Sequence, residues 1–85
     1  MTKVGLLSDT HGYLDPKILK FLDDCDEIWH AGDIGSMDVA YTLSSIALFR
    51  AVYGNIDGTS IRKEFNEILM FNCEDVRILM KHIGG

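Results

Sequence analysis

Short apolar runs alternate with segments of helical periodicity over most of the sequence. Residues 3–8, 28–31 and 49–53 form three such runs, and polar side chains appear only at their ends. This pattern predicts short strands that are buried on both faces. Because strands and helices alternate, we expect parallel strands joined by helical crossovers, that is, a β-α-β-α-β unit of the α/β class.

Two helices are predicted between these strands from their capping residues and apolar spacing. Asp15 is a favourable N-cap and Pro16 fits the first helical position, whereas the acidic residues of 23–27 oppose the dipole at a helix C-terminus and predict its end. Ser36 is the predicted cap of the second helix. The apolar stripe of that helix comprises Val39, Leu43, Ile46 and Ala47.

The pattern changes after the third strand. Residues 64–71 and 76–81 are two extended runs, and the polar residues 72–75 between them are suited to a hairpin loop. With 85 residues in total, we expect a single domain over residues 1–85. The predicted order is therefore three strands with two helical crossovers, followed by a β-hairpin.

Charge and apolar content exclude several classes of protein. The chain has 8 basic and 13 acidic residues and a net charge of −5, which argues against non-specific binding to nucleic acid or to anionic membranes. No apolar run approaches the roughly 20 residues that a membrane span needs. Cys25 and Cys73 are far apart in sequence, so no disulfide framework is expected and the cytoplasm is the expected compartment.

Polar residues with metal-binding or catalytic chemistry follow each predicted strand. Asp9 and His11 follow the first strand, Asp33 follows the second, and Asn55 follows the third. The carboxyl ends of parallel strands meet at one edge of a sheet, where ligands bind in open α/β folds. The return strand of the hairpin runs antiparallel, so it can bring His82 to the same edge.

Two carboxylates, two imidazoles and an amide form a mixed hard and borderline ligand set. Such a set suits Mn²⁺, Fe, Zn²⁺, Ni²⁺ or Co²⁺ better than Ca²⁺ or a thiolate-bound metal. Without cations, Asp9 and Asp33 would repel each other. Two divalent ions would leave a local positive charge that attracts phosphate, and would activate a shared water.

Each of these residues also has an ordinary structural interpretation. An Asp after a strand often caps a helix, Asn after Gly54 is common in turns, and a His near a chain end is often solvated. His30 lies within an apolar run and is interpreted as a core residue. The functional hypothesis therefore depends on the joint occurrence of four segments in order.

Those four segments resemble the calcineurin-like metallophosphoesterases, and more narrowly their small bacterial and archaeal phosphodiesterase branch. They are Ser-Asp-Thr-His-Gly at 8–12, His-Ala-Gly-Asp-Ile at 30–34, Val-Tyr-Gly-Asn-Ile-Asp at 52–57 and Lys-His at 81–82. The resemblance covers residues 3–85. It implies that the chain is the N-terminal portion of a four-layer α/β/β/α sandwich.

The resemblance also implies a two-metal phosphodiesterase or phosphatase, with manganese as the favoured metal. Asp9 and His11 would bind the first metal, and Asp33 would bridge both. Asn55 and His82 would bind the second metal, with Asn55 also near the phosphate as the catalytic residue. A hydroxide bridging the two metals would attack the phosphorus of a phosphate ester in line.

The sequence departs from the family pattern in two places. Ile56 occupies a position where many relatives carry a His that assists the leaving group, which leaves the general acid unassigned. The family also has a Gly-His-x-His segment after the His82 position, which supplies one further ligand to each metal and which this sequence lacks. We therefore expect a truncated domain that self-associates through exposed sheet surface. Asp57 matches an often acidic position, and we interpret it as an orienting residue.

Two other functions fit parts of the pattern. The family includes non-catalytic scaffold members; the missing segment favours such an interaction module, whereas the five retained ligand positions favour an enzyme. A receiver-like phospho-acceptor domain also places Asp residues at strand ends. It would use Asp33 as acceptor and Lys81 as its required lysine, but it leaves the Asp-x-His and Gly-Asn pairs without a role.

Overall fold

A computed structural model describes residues 2–82 of the chain, with five strands and three helices in that range. In chain order the elements are β1 (Val4–Leu7), α1 (Pro16–Leu22), β2 (Glu27–His30), α2 (Met37–Ile46), β3 (Leu48–Ala51), α3 (Thr59–Glu64), β4 (Ile68–Cys73) and β5 (Val76–Lys81).

The first three strands form one parallel sheet in the order β1-β2-β3. In this register Leu7, His30 and Ala51 lie side by side at the carboxyl edge. Both crossovers advance in the same direction, so the right-handed rule places α1 and α2 on one face of the sheet. The α/β class and the β-α-β-α-β order predicted from the sequence are confirmed.

The hydrophobic core lies between this sheet and the helices. Leu22 of α1, Ile28 of β2 and Leu43 of α2 are fully buried in one cluster. Burial of each such side chain contributes about 1.5–3 kcal/mol, so the cluster holds the crossovers on the sheet. Asp15 caps α1 as predicted, because its side chain accepts a hydrogen bond from the backbone N–H of Lys17 at 2.8 Å.

The hairpin of β4 and β5 covers the opposite face of the parallel sheet. Phe71 of β4 packs edge-on against Trp29 of β2, with 4.9 Å between the ring centroids. The guanidinium of Arg50 lies 4.3 Å from the centroid of the same Phe71 ring, and its Nε donates to Glu27 Oε1 at 2.9 Å. The Arg50 hydrogen bond lowers the pKa of Glu27. The hairpin thus adds the second β layer.

A third helix was not predicted from the sequence. Residues 59–64 form α3, so the extended run predicted to begin at residue 64 begins at Ile68 instead. Six residues are too few to show a helical period, and tertiary contacts fix this helix. Ile61 is 3% exposed, and Phe65, just after α3, packs edge-on against Phe49 at 5.7 Å between ring centroids.

The hairpin turn is shorter than the predicted loop of residues 72–75. Asn72 and Cys73 remain in β4, and Cys73 pairs with Val76. Only Glu74 and Asp75 connect the strands, with Glu74 in the left-handed region at φ 55°. The polar side chain of Asn72 is exposed on an outer strand, which the sequence does not distinguish from a loop.

The outer face of the hairpin carries exposed apolar side chains. Ile68, Met70 and Leu79 are 46%, 53% and 63% exposed. The self-association expected from such a surface stays a prediction. Lys81 lies on an antiparallel strand rather than after a parallel one, which disfavours the receiver-like alternative. Among the helices of residues 2–82, none is long and apolar enough to cross a membrane.

We predict that Phe71→Ala lowers the free energy of unfolding by about 2 kcal/mol, because it removes the ring that packs on Trp29 and under Arg50. Met70→Ala is the matched control, since its side chain is on the same strand but 53% exposed on the outer face. Urea unfolding of both variants measures the difference. Equal losses would show that the hairpin is not held by this contact.

Candidate metal centre

The loops after β1 and β2 run side by side beyond the ends of the strands. The backbone N–H of Asp9 donates to the carbonyl of Gly32 at 2.9 Å, and that of His11 donates to the carbonyl of Asp33 at 3.0 Å. Asp9, His11 and Asp33 all adopt left-handed conformations, with φ of 56°, 51° and 57°. This region is unfavourable for non-glycine residues, and the residues that adopt it cluster at functional sites.

Four of the five predicted ligand residues come together at this edge. Asp9, Asp33 and His82 each offer a ligand atom, and these three atoms lie within 4.8 Å of one another. His11 Nε2 is 3.6 Å from Asp9 Oδ1 and 3.8 Å from Asp33 Oδ2. The hairpin therefore returns His82 to the edge reached by the parallel strands, as the sequence predicted.

The orientation of His82 suits a metal ligand. Its Nδ1 lies 2.8 Å from the carbonyl oxygen of Ala31, which can only accept, so Nδ1 carries a proton. Nε2 then faces Asp33 Oδ2 at 3.3 Å, and both side chains are less than 10% exposed, at 8% and 6%. Metal-binding His residues commonly fix their second nitrogen on a carbonyl in this way. Gly32, at φ 112°, leaves room for the ring, since a Cβ there would lie 2.6 Å from His82 Nδ1.

Asn55, the fifth predicted ligand, lies in a loop that is attached to Asp33 on both sides. Gly54 packs so closely on Asp33 that a Cβ at this position would collide with the carboxylate Oδ1 and the backbone nitrogen. The backbone N–H of Ile56 donates to the same Oδ1 at 3.1 Å. The loop therefore reaches the same edge, and Asn55 is exposed there. Its ligand role stays a prediction.

Asp57 ties the loop after β2 to the loop after β3. Its side chain is buried and accepts three backbone hydrogen bonds, from Ile34 at 3.1 Å, Gly35 at 2.8 Å and Gly54 at 2.8 Å. These donors lie immediately after Asp33 and immediately before Asn55 in sequence. A buried carboxylate with several N–H donors is well compensated, so it fixes the two loops relative to each other. This geometry agrees with the orienting role that we expected.

His30 is fully buried, as its position in the apolar run predicted, but it also makes hydrogen bonds to both ligand loops. Its Nδ1 accepts from the backbone N–H of Gly32 at 3.1 Å, and its Nε2 lies 2.9 Å from Thr10 Oγ1. Because the Thr10 hydroxyl donates to the carbonyl of Ile34 at 2.9 Å, Nε2 must be the donor to Thr10. The ring is neutral in this arrangement, and burial lowers the pKa of His30 to about 4.

The donor set fits the divalent cations expected from the sequence. Carboxylates and imidazoles suit Mn²⁺, Fe, Zn²⁺, Ni²⁺ or Co²⁺. A hydrogen bond from the Ser8 hydroxyl is the main cause of a lowered pKa for Asp9, which keeps this carboxylate ionised. Cys25 and Cys73 are free thiols and lie outside the cluster. The residues present therefore match a borderline-hard cation, and their arrangement agrees with the order of the four sequence segments.

Comparison with protein-family models gives a match over almost the whole chain. The model of the calcineurin-like phosphoesterase superfamily domain matches residues 2–85. The chain belongs to this family. A comparison with curated protein sequences finds no significant match.

Solved structures similar to this calcineurin-like domain include two Vps29 proteins. Vps29 from Chaetomium thermophilum has a TM-score of 0.78 and 16% identity, over 93% of this chain and 45% of its own. Wild-type Vps29 from Entamoeba histolytica, solved as a complex with Zn²⁺, has a TM-score of 0.77 and 17% identity, over 93% of this chain and 47% of its own. The chain thus spans less than half the length of these proteins. At this identity, the likeness shows the shared fold.

We predict that His30 makes folding stability depend on pH. Its pKa is about 4 in the folded chain against an ordinary 6.5, so the unfolded chain binds a proton more readily between these values. The neutral ring contributes about 3 kcal/mol to the free energy of unfolding. This contribution is complete above the unfolded pKa and is lost as the pH falls through the folded pKa. About 2 kcal/mol of it is already lost near pH 5.

Urea unfolding of the wild type and of His30→Gln, across this pH range and with a chelator present, measures that contribution. The variant keeps His11 and His82, so their titration is common to both proteins. A pH slope in His30→Gln as steep as that of the wild type would contradict the prediction.

We also predict that Gly54→Ala lowers the free energy of unfolding by about 1–3 kcal/mol and weakens Mn²⁺ binding, because the new methyl group displaces the Asp33 carboxylate. Gly58→Ala is the matched control, since a Cβ there meets nothing within 4 Å. Urea unfolding and Mn²⁺ titration calorimetry compare the two variants. If both variants bind Mn²⁺ like the wild type, the close packing of Gly54 on Asp33 is not needed for Mn²⁺ binding.

Proposed function

We propose that this edge of the sheet is the two-metal centre of a phosphodiesterase or phosphatase that hydrolyses a phosphate ester. The observation that carries the proposal is the convergence of Asp9, His11, Asp33 and His82 from three separate segments of the chain. The Zn²⁺ complex of a Vps29 supports cation binding by this fold.

The distances support a central role for Asp33 between two metal positions. Its Oδ2 lies between two imidazoles, 3.8 Å from His11 Nε2 and 3.3 Å from His82 Nε2. Asp9 and His11 would hold one cation, and His82 with Asn55 would hold the other. Manganese is the favoured metal, with Fe, Zn²⁺, Ni²⁺ and Co²⁺ as alternatives.

The charge of the site explains why it would need cations to bind its substrate. The chain carries a net charge of −5, and two of its carboxylates lie in the cluster, so the residues alone repel a phosphate. Bound divalent cations would supply Lewis acidity, a lowered water pKa and charge neutralisation. The amide of Asn55, exposed at the rim, is suited to donate a hydrogen bond to a phosphate oxygen.

The leaving group of the substrate receives no proton from Ile56. This side chain is 51% exposed next to Asn55, at the position where many relatives carry a His that assists the leaving group. An apolar side chain there favours esters whose leaving group departs as a stable anion, or protonation by water. An aryl phosphodiester is therefore the appropriate test substrate.

We predict that Asp33→Asn weakens Mn²⁺ binding by at least about tenfold and abolishes Mn²⁺-dependent hydrolysis of bis(p-nitrophenyl) phosphate, because it removes charge from the central ligand without changing its size. Asp23→Asn is the matched control. It removes the same charge in the exposed segment that leads into β2, at the opposite edge of the sheet. Calorimetry and release of nitrophenol measure the two effects.

The result of this experiment distinguishes a phosphoesterase from a non-catalytic interaction module. A wild-type chain with no Mn²⁺-dependent turnover, or turnover that survives in Asp33→Asn, would contradict the phosphoesterase proposal. A non-catalytic interaction module would then be favoured. The exposed apolar side chains on the outer face of the hairpin, Ile68, Met70 and Leu79, are the observation that supports this second candidate.

A further inference from the structure

A chain of hydrogen bonds passes from one ligand loop to the other through the buried ring of His30. The backbone N–H of Gly32 donates to His30 Nδ1 at 3.1 Å, and His30 Nε2 donates to Thr10 Oγ1 at 2.9 Å. Thr10 Oγ1 in turn donates to the carbonyl of Ile34 at 2.9 Å. We call these four groups the His30 relay.

The relay is attached to the backbone immediately beside the predicted ligands. Thr10 lies between Asp9 and His11 in sequence. Gly32 and Ile34 flank Asp33, so the relay contacts the residue before it and the residue after it. Asp57, by contrast, joins the loop after β2 to the loop after β3.

We propose that His30 is a positioning residue, which sets the separation of Asp9 and His11 from Asp33 through its hydrogen bonds to Thr10 and Gly32 and thereby sets the affinity of the site for divalent cations. The inference rests on the proposed metal centre. It goes beyond that proposal because it assigns a role to two residues, His30 and Thr10, that would touch neither metal nor substrate.

The chemistry of imidazole explains why this position would need a histidine. A neutral ring is an acceptor at one nitrogen and a donor at the other, so it satisfies the N–H of Gly32 and the hydroxyl of Thr10 at once. The ring is fully buried, where an unsatisfied partner is costly and a satisfied chain of hydrogen bonds is rigid. A leucine of similar size would fill the space but would make no hydrogen bond to either loop.

The substitutions Thr10→Val and Thr10→Ser separate the hydrogen bond from packing. Valine keeps the branched shape and removes the hydroxyl, whereas serine keeps the hydroxyl and removes a methyl group. Ile28→Val is a second control, since it trims a fully buried side chain of the same strand, two positions before His30. Mn²⁺ binding is measured by titration calorimetry without substrate, and stability by urea unfolding.

We expect Thr10→Val to bind Mn²⁺ about tenfold more weakly than the wild type, which is a typical effect of a lost outer partner of a metal ligand. Thr10→Ser should bind with wild-type affinity. Ile28→Val should lose stability but keep its Mn²⁺ affinity, which shows that destabilisation alone does not weaken the site.

A nitrogen-15 correlation spectrum of the wild-type chain at neutral pH tests the relay without any metal. His30 should give the pattern of a neutral ring protonated at Nε2 and unprotonated at Nδ1. A ring protonated at Nδ1 would overturn the inference. The inference would also be overturned if the wild type is active and Thr10→Val binds Mn²⁺ with the same affinity as the wild type. If the wild type neither binds Mn²⁺ nor turns over substrate, the proposed function fails, and the role of His30 at a metal site fails with it.

Discussion

The buried carboxylate of Asp33 is the group on which the rest of this edge depends. It is 6% exposed, and a charge at such depth is costly unless donors or cations compensate it. Its described neighbours include the backbone N–H of Ile56 and the imidazoles of His11 and His82. A second carboxylate, that of Asp9, lies in the same cluster. A cation there would compensate two negative charges at once, which is the physical reason to regard the cluster as a cation site.

The fold brings these partners together by two different routes. The loops after the parallel strands reach Asp33 through backbone hydrogen bonds that continue the pairing of β1 and β2 past their ends. His82 arrives at the end of β5, and its position depends on how the hairpin packs on the sheet. That packing uses Trp29, Phe71 and Arg50, on the face opposite the helices. A hairpin that slipped along the sheet would move His82 away from Ala31 and Asp33.

The sequence predicts the part of this arrangement that depends on local pattern. Three buried strands, the Asp15 cap and the meeting of polar residues at one edge all follow from periodicity and parallel topology. α3 does not, because its six residues are fixed by Ile61 and by the ring contact of Phe65 rather than by a periodic apolar face. A short helix of this kind has no signal in the sequence apart from its tertiary partners.

The same distinction applies within the site. Asp9, His11, Asp33 and His82 were predicted from residue type and order, since ligand chemistry is visible in a sequence. The hydrogen bonds of His30 were not predicted, because a histidine within an apolar run can be a packed core residue or a member of a hydrogen-bond chain. A single signal was present: a histidine three positions before Asp33, on a strand whose other inward residue, Ile28, is apolar.

The left-handed backbone of Asp9, His11 and Asp33 bears on how the site would respond to a cation. Each of these conformations is unfavourable for a residue with a side chain, so the surrounding hydrogen bonds must hold it. Those bonds belong to the sheet edge and, through His30, to the core, rather than to a loop that could order on binding. The ligand geometry is therefore set when the domain folds. A bound cation would stabilise the folded chain as a whole, because ligands that bind only the native state shift the global unfolding equilibrium.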